Sequence, residues 1–243
     1  MAKFENVSVL MGAVDETDSL RDTVNELFRI CNAEDIKEIL IYKAPHITPE
    51  CEEVVSELTE NDAQGKIKAV LQKKKGLGAL VELFDVAKGS HCMIVASDTA
   101  LDLHCVPLMI EKAKQNDDAV VKTSRWLPGC KFIEYNKMRY IMNFFGQKFL
   151  AILFGKKMTD FTNPNQIVPT EIYRSIKWES EGFPILLELV LKPLRIGCEF
   201  IEIPTNCYGR TQGKSSNSFR QTAKYFSTAI HIRFMKKENI LKK

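Results

Sequence analysis

Cys92-Met-Ile-Val-Ala-Ser97-Asp98-Thr-Ala-Leu-Asp102 sets five apolar residues directly against a short acidic turn. A brief apolar run bounded by polar residues predicts a buried strand. Working outward, the same grammar repeats. Val7–Met11 predicts a first strand, and Leu20, Val24, Leu27 and Cys31 follow at helical spacing. Ile36–Tyr42 predicts a second strand, and Pro49 stands at a favoured helix-opening position. Lys66–Leu71 predicts a third strand, and a helix starting at Gly76-Leu-Gly78-Ala79 runs to about Ala87. Beyond the quoted stretch, Val106–Ala113 predicts a helix and Ala119–Thr123 a fifth parallel-type strand. Strands alternating with helices imply an α/β fold, a mainly parallel sheet flanked by helices on both faces. Ligands of such sheets lie beyond the carboxyl ends of the strands, near the point where strand order reverses. That places 12–19, 43–49 and 97–104 at the ligand-bearing edge.

The second half is less regular. It predicts a long helix around Tyr140–Phe154, a loop over 155–166, a helix over Phe183–Ile196 and a strand at Phe200–Ile203. A last helix carries Phe219, Ala223, Phe226, Ile230 and Phe234 on one face, expected to pack against the sheet.

The chain has 243 residues, 45% of them hydrophobic and 27% charged, enough to bury a sizeable core as one domain. Its seven cysteines are scattered without a C-x-x-C pair, which argues against a disulfide framework or a zinc site and for a reducing compartment. No stretch is long and apolar enough to cross a bilayer. The net charge of +3 is uneven, because residues 214–243 carry eight Lys/Arg and one Glu. This basic end suits an anionic membrane surface or simply a solvated face. No nucleic-acid partner is expected, and the expected location is cytoplasmic, with peripheral contact at the inner face of the membrane.

Asp98 and Asp102 stand just past the quoted strand. Mg²⁺ or Mn²⁺ takes one or two protein carboxylates and fills its other positions with water and substrate phosphate. A capping role at the next turn uses the same residue type.

The order of these features resembles family-2 glycosyltransferases, of the GT-A fold that includes dolichol-phosphate mannosyltransferase-like enzymes, in a bacterial branch. The resemblance rests on Val9–Glu16, Gly76–Ala79, Cys92–Asp98, Thr123-Ser-Arg125-Trp126, Met158–Thr162, Glu202-Ile-Pro204 and Arg210-Thr-Gln-Gly213-Lys214-Ser215. It is collinear over about residues 6–234. It implies a nucleotide- and metal-binding half over about 6–130 and an acceptor-binding half over about 131–234. Three departures stand out. Ala100 occupies the place of the second D-x-D carboxylate, leaving Asp102 as substitute. Lys43-Ala-Pro-His46 lacks the usual Asp pair. Pro164-Asn165-Gln166 replaces Gly-Phe-Arg.

The resemblance implies a metal-dependent, inverting transfer of a sugar from a UDP- or GDP-linked donor to a lipid-phosphate or saccharide acceptor, as in cell-envelope polysaccharide synthesis. It assigns Asp98 and Asp102 to the cation. Asp15 and Glu16 fall beside the nucleotide, and Arg125, Arg210, Lys214 and Ser215 on phosphate. Asp160 and Glu188 compete as the base that activates the acceptor. Two alternatives stay open: a sugar-phosphate nucleotidyltransferase, and a non-catalytic relative that only binds.

Overall fold

The computed structural model describes residues 3–74, 76–97, 102–208 and 219–242, the side chains of 219–223 excepted. A seven-stranded sheet forms its centre. Strand β1 (Val7–Ala13) is buried almost throughout and pairs in parallel with β2 (Ile36–Lys43) on one side and β4 (His91–Ile94) on the other. β3 (Ile67–Leu71) extends the sheet beyond β2. On the far side of β4 lie β7 (Gln166–Pro169), β5 (Val120–Ser124) and β8 (Phe200–Pro204), in that order. β7 runs antiparallel to both its neighbours. A separate two-stranded pair joins β6 (Phe132–Ile133) to β9 (Cys207–Tyr208).

Both faces of the sheet are covered, as a parallel sheet requires. Val9 and Met11 point to one face, where Leu20, Val24 and Leu27 of α1 (Asp18–Ile30) meet them. That layer is completed by α2 (Pro49–Glu60), whose Pro49 does open the helix, and α4 (Val106–Gln115). Leu10, Cys92 and Ile94 point the other way. They pack with Phe84 of α3 (Glu82–Val86), Tyr173 of α6 (Thr170–Ser175) and Leu189 of α7 (Ile185–Ile196). The outer side of α7 carries a third cluster shared with α5 (Lys137–Phe154) and α8 (Phe219–Phe234). A short α9 (Lys237–Ile240) closes the described chain against Ile176 and Met235.

Two expectations change. The region taken as loop up to Gln166 ends in β7, whose four residues are all buried. The final helix does not turn its Phe226-Ile230-Phe234 row to the sheet. These side chains are 40%, 44% and 75% exposed, while Ala229 and Ile232, one step round the helix, are the buried ones.

Candidate functional site at the carboxyl edge of the sheet

Strand order reverses between β1 and β4, because β2 and β3 build outward on one side and β4 begins the other. The loops leaving these two strands therefore border the crevice where α/β sheets take their ligands. They are tied together: Ser97 Oγ donates to the Gly12 carbonyl at 2.7 Å, and Val95 N–H to Leu10 O at 3.0 Å. Ser97, the residue before Asp98, thus stands at the switch point. Asp98 and Ala100 themselves lie outside the described residues, as do Arg210, Lys214 and Ser215.

Asp102 is half-buried and caps the short 3₁₀ turn Leu103–Cys105, accepting from His104 N–H at 3.3 Å. Its other oxygen accepts from Asn206 Nδ2 at 3.3 Å. Both donors are neutral, and no ion pair holds Asp102 among the described residues. An anionic carboxylate with only long, neutral hydrogen bonds is a donor a hard cation suits. Among the described residues no group of three His, Cys, Asp or Glu side chains gathers to hold a metal.

Glu16 does not reach outward. Its carboxylate folds back to accept from Val14 N–H at 2.8 Å and Asp15 N–H at 3.2 Å, bracing its own turn. Asp15 is exposed on that turn. Glu16, expected beside the nucleotide, shapes the loop with one of its two carboxylate oxygens.

The glycine-rich stretch answers a packing demand. Gly78 N–H donates to the Glu181 carbonyl at 2.8 Å, and a Cβ on Gly78 would lie 2.2 Å from the Ser180 carbonyl oxygen. Gly76 adopts φ +70°, left-handed backbone that favours glycine. So the Glu179–Gly182 segment lies directly on the start of the 3₁₀ turn Leu77–Val81.

Glu188 fastens that segment. It sits in the first turn of α7, 2% exposed, and pairs with Lys192 Nζ at 2.8 Å. It also accepts from Glu179 N–H at 3.1 Å and from the Ser180 hydroxyl. Lys192, itself fully buried, donates further to Lys177 O at 2.6 Å. Glu188, expected as one of two candidate bases, is held by these partners as a clamp on the segment.

Asp160 is also locked. It is fully buried and takes Arg125 bidentately, Nε at 2.7 Å and Nη2 at 2.9 Å. The backbone N–H groups of Arg125, Thr162 and Asn163 add three more donors. Burial alone would raise its pKa, but the Arg125 guanidinium outweighs burial and holds the carboxyl well below the usual range. Glu202 fixes the same loop from below, accepting from Thr159 and Asp160 N–H at 2.9 and 3.0 Å. A base must capture a proton, and this carboxylate is held against doing so. Asp160, expected as the other candidate base, stands here as the anchor of Arg125. Arg125 changes with it: the bidentate edge expected to grip phosphate is spent on Asp160.

Gln166 stands at the position of the missing arginine. It is fully buried, donating to Leu189 O at 2.6 Å and to the Tyr173 hydroxyl. Neither this burial nor that of Lys122 is signalled by residue type or spacing; Lys122 is fully buried and donates to the Thr123 and Asp160 carbonyls beneath the Arg125 pair.

Comparison with known proteins resolves which fold family this edge belongs to. A model of the family described as "Glycosyl transferase family 2" matches residues 8–177, which spans β1 to the segment after α6. The chain belongs to glycosyl transferase family 2. Undecaprenyl-phosphate mannosyltransferase of Micrococcus luteus is 25% identical over 116 residues, 46% of this chain. That match spans about half of the relative, 47% of its length. Glucosyl-3-phosphoglycerate synthase from Mycobacterium tuberculosis, solved with Mn²⁺, UDP and phosphoglyceric acid, superposes with a TM-score of 0.69 at 13% identity, covering 96% of this chain and 80% of that one. The same synthase with Mg²⁺ and UDP gives 0.68 at 12% identity, covering 96% and 80%. These likenesses establish the GT-A fold.

Proposed function

We propose that this protein is a metal-dependent, inverting glycosyltransferase that moves a sugar from a UDP-linked donor to the phosphate of a lipid acceptor. The carrying observation is the switch point between β1 and β4, where Ser97 pins the acidic turn to Gly12 inside the family-matched span. The first half, about 6–130, would hold the donor, and the second, about 131–234, the acceptor. Asp98 and Asp102 would hold Mg²⁺ or Mn²⁺, the cations present together with UDP in the synthase structures. Such a cation neutralises charge on a departing diphosphate. Arg210, Lys214 and Ser215 are assigned to the donor phosphates because their residue types and the intervening Gly213 suit an anion.

The locked carboxylates favour the acceptor class. A hydroxyl acceptor needs a base, and both candidates for it, Asp160 and Glu188, are buried and ion-paired. A phosphate monoester is already ionised. Its oxygen attacks the anomeric carbon, the new C–O bond forms as the bond to the diphosphate breaks, and UDP leaves with the electron pair. The name of the Micrococcus luteus relative agrees with this class of acceptor.

Membrane contact belongs to the same reading. None of the described helices is long and apolar enough to cross a membrane. Yet α5 exposes Met138, Ile141, Phe145 and Ile152, the last at 83%, beside Phe226 and Phe234 of α8. α5 carries Lys137, Arg139 and Lys148 and no acidic residue. An apolar stripe edged only by cations suits the surface of an anionic bilayer.

The test is turnover. Incubation with UDP- and GDP-sugars, farnesyl phosphate and Mn²⁺ or Mg²⁺ should release UDP and yield a glycosyl phosphodiester. Release of sugar 1-phosphate would instead indicate nucleotidyl transfer. Nucleotide binding without turnover would indicate a non-catalytic relative.

A further inference from the structure

We infer that a cationic cavity beneath α5 seats the acceptor's phosphate, with the acceptor's chain running out along the exposed apolar face of α5 and α8. This rests on the lipid-phosphate reading above and adds the residues that would recognise it. The cavity measures about 340 Å³. Its apolar wall is Trp126, Phe144, Ala151 and Met158. Lys148, Lys156 and Lys157 also line it, and none has an acidic partner among the described residues. All three are exposed, so they ring the mouth of the cavity with positive charge that draws an anion toward it. The Trp126 indole N–H is buried and has no acceptor among the described residues. Buried donors are nearly always satisfied, so a group without a partner asks for one.

The placement suits transfer. The floor of the cavity is Thr159, whose hydroxyl lies 2.6 Å from Ser124 Oγ at the carboxyl end of β5. The backbone N–H of Trp126 donates to the same Ser124 oxygen at 3.1 Å. β7 alone separates β5 from β4, the strand that precedes the acidic turn. The wall residues Phe144, Gln147, Lys148 and Ala151 share one side of α5. Phe145, Phe149 and Ile152 lie on the adjoining exposed side, and Phe149 meets Phe226 of α8 at 5.2 Å. An apolar chain leaving the cavity therefore meets apolar surface at once.

Calorimetric titration of the full chain tests this with three probes: farnesyl phosphate below its micellar concentration, farnesol and inorganic phosphate. Farnesyl phosphate should bind at one site, at least tenfold tighter than either of the others. The double variant Lys156→Gln/Lys157→Gln should weaken it tenfold or more without moving the thermal midpoint, and Lys156→Arg/Lys157→Arg should restore it. Equal affinity in the double variant would overturn the inference. So would farnesol binding as tightly, which means apolar partition only, or inorganic phosphate binding as tightly, which means a site for free phosphate. Loss of the transfer reading is separate: farnesyl phosphate would then bind, yet no sugar nucleotide would be consumed.

Discussion

At Asp160 the same residue type that suggested a base turns out to serve as an anchor. Nothing in sequence spacing joins it to Arg125, 35 residues away. The pairing exists because the end of β5 and the loop before β7 meet in space. Removing one partner of a buried ion pair leaves an uncompensated charge and costs about 3–5 kcal/mol. Asp160→Asn should therefore lose stability of that order in urea denaturation at pH 7. The sign with pH follows from the lowered carboxyl. Its stabilisation is fully present above the ordinary carboxylate pKa of about 4 and is lost as pH falls through the folded value. The gap between wild type and Asp160→Asn should accordingly narrow below about pH 4. A gap under about 1 kcal/mol at pH 7, the worth of an exposed pair, would contradict the lock. The proposal that Asp98 and Asp102 share a cation rests on their place after an apolar strand. The burial and partners of Asp160, Glu188 and Gln166 depend on tertiary neighbours and were not legible in the sequence.

The regular strands and helices of the first half were legible because their apolar periodicity is strong and each lies between polar turns. β7 was missed because four residues ending in Pro169 carry almost no pattern and its direction is antiparallel. The exposed row of α8 shows a second limit: periodicity reveals an apolar face but not what covers it. The glycine pattern was legible, yet its reason was a contact between distant segments. Gly78→Ala would force its Cβ against the Ser180 carbonyl, and overpacking of this kind costs about 1–3 kcal/mol. Thermal denaturation should show that loss, and an unchanged midpoint would mean the Ser180–Glu181 segment is not seated on Gly78. His91, at the start of β4, offers a pH test of the strand. It is fully buried, with Nε2 2.9 Å from Asp117 O. Burial lowers its pKa despite the raising effect of Asp117. A lowered folded value means stability is present above the ordinary imidazole pKa of about 6.5 and falls as pH drops through the folded value. Denaturation midpoints should decline below about pH 6, and His91→Gln should flatten that limb.

At the scale of the molecule, the proposed donor crevice at the β1–β4 switch and the proposed apolar, cation-edged flank on α5 and α8 would give the chain two functional sides. Phe145→Asp/Ile152→Asp should abolish co-sedimentation with vesicles of mixed phosphatidylglycerol and phosphatidylcholine. The same variant should still bind UDP with Mn²⁺ as the wild type does, because the donor crevice lies at the β1–β4 switch. Retained sedimentation would assign membrane contact to another surface. The central claim, that the acidic turn after β4 is the metal-assisted donor site, is tested most directly by titrating UDP with and without Mn²⁺ into wild type, Asp98→Asn and Asp102→Asn. The account predicts Mn²⁺-dependent UDP binding that weakens at least tenfold in Asp98→Asn and by less in Asp102→Asn. UDP affinity that needs no Mn²⁺, or that stays unchanged in Asp98→Asn, would contradict it.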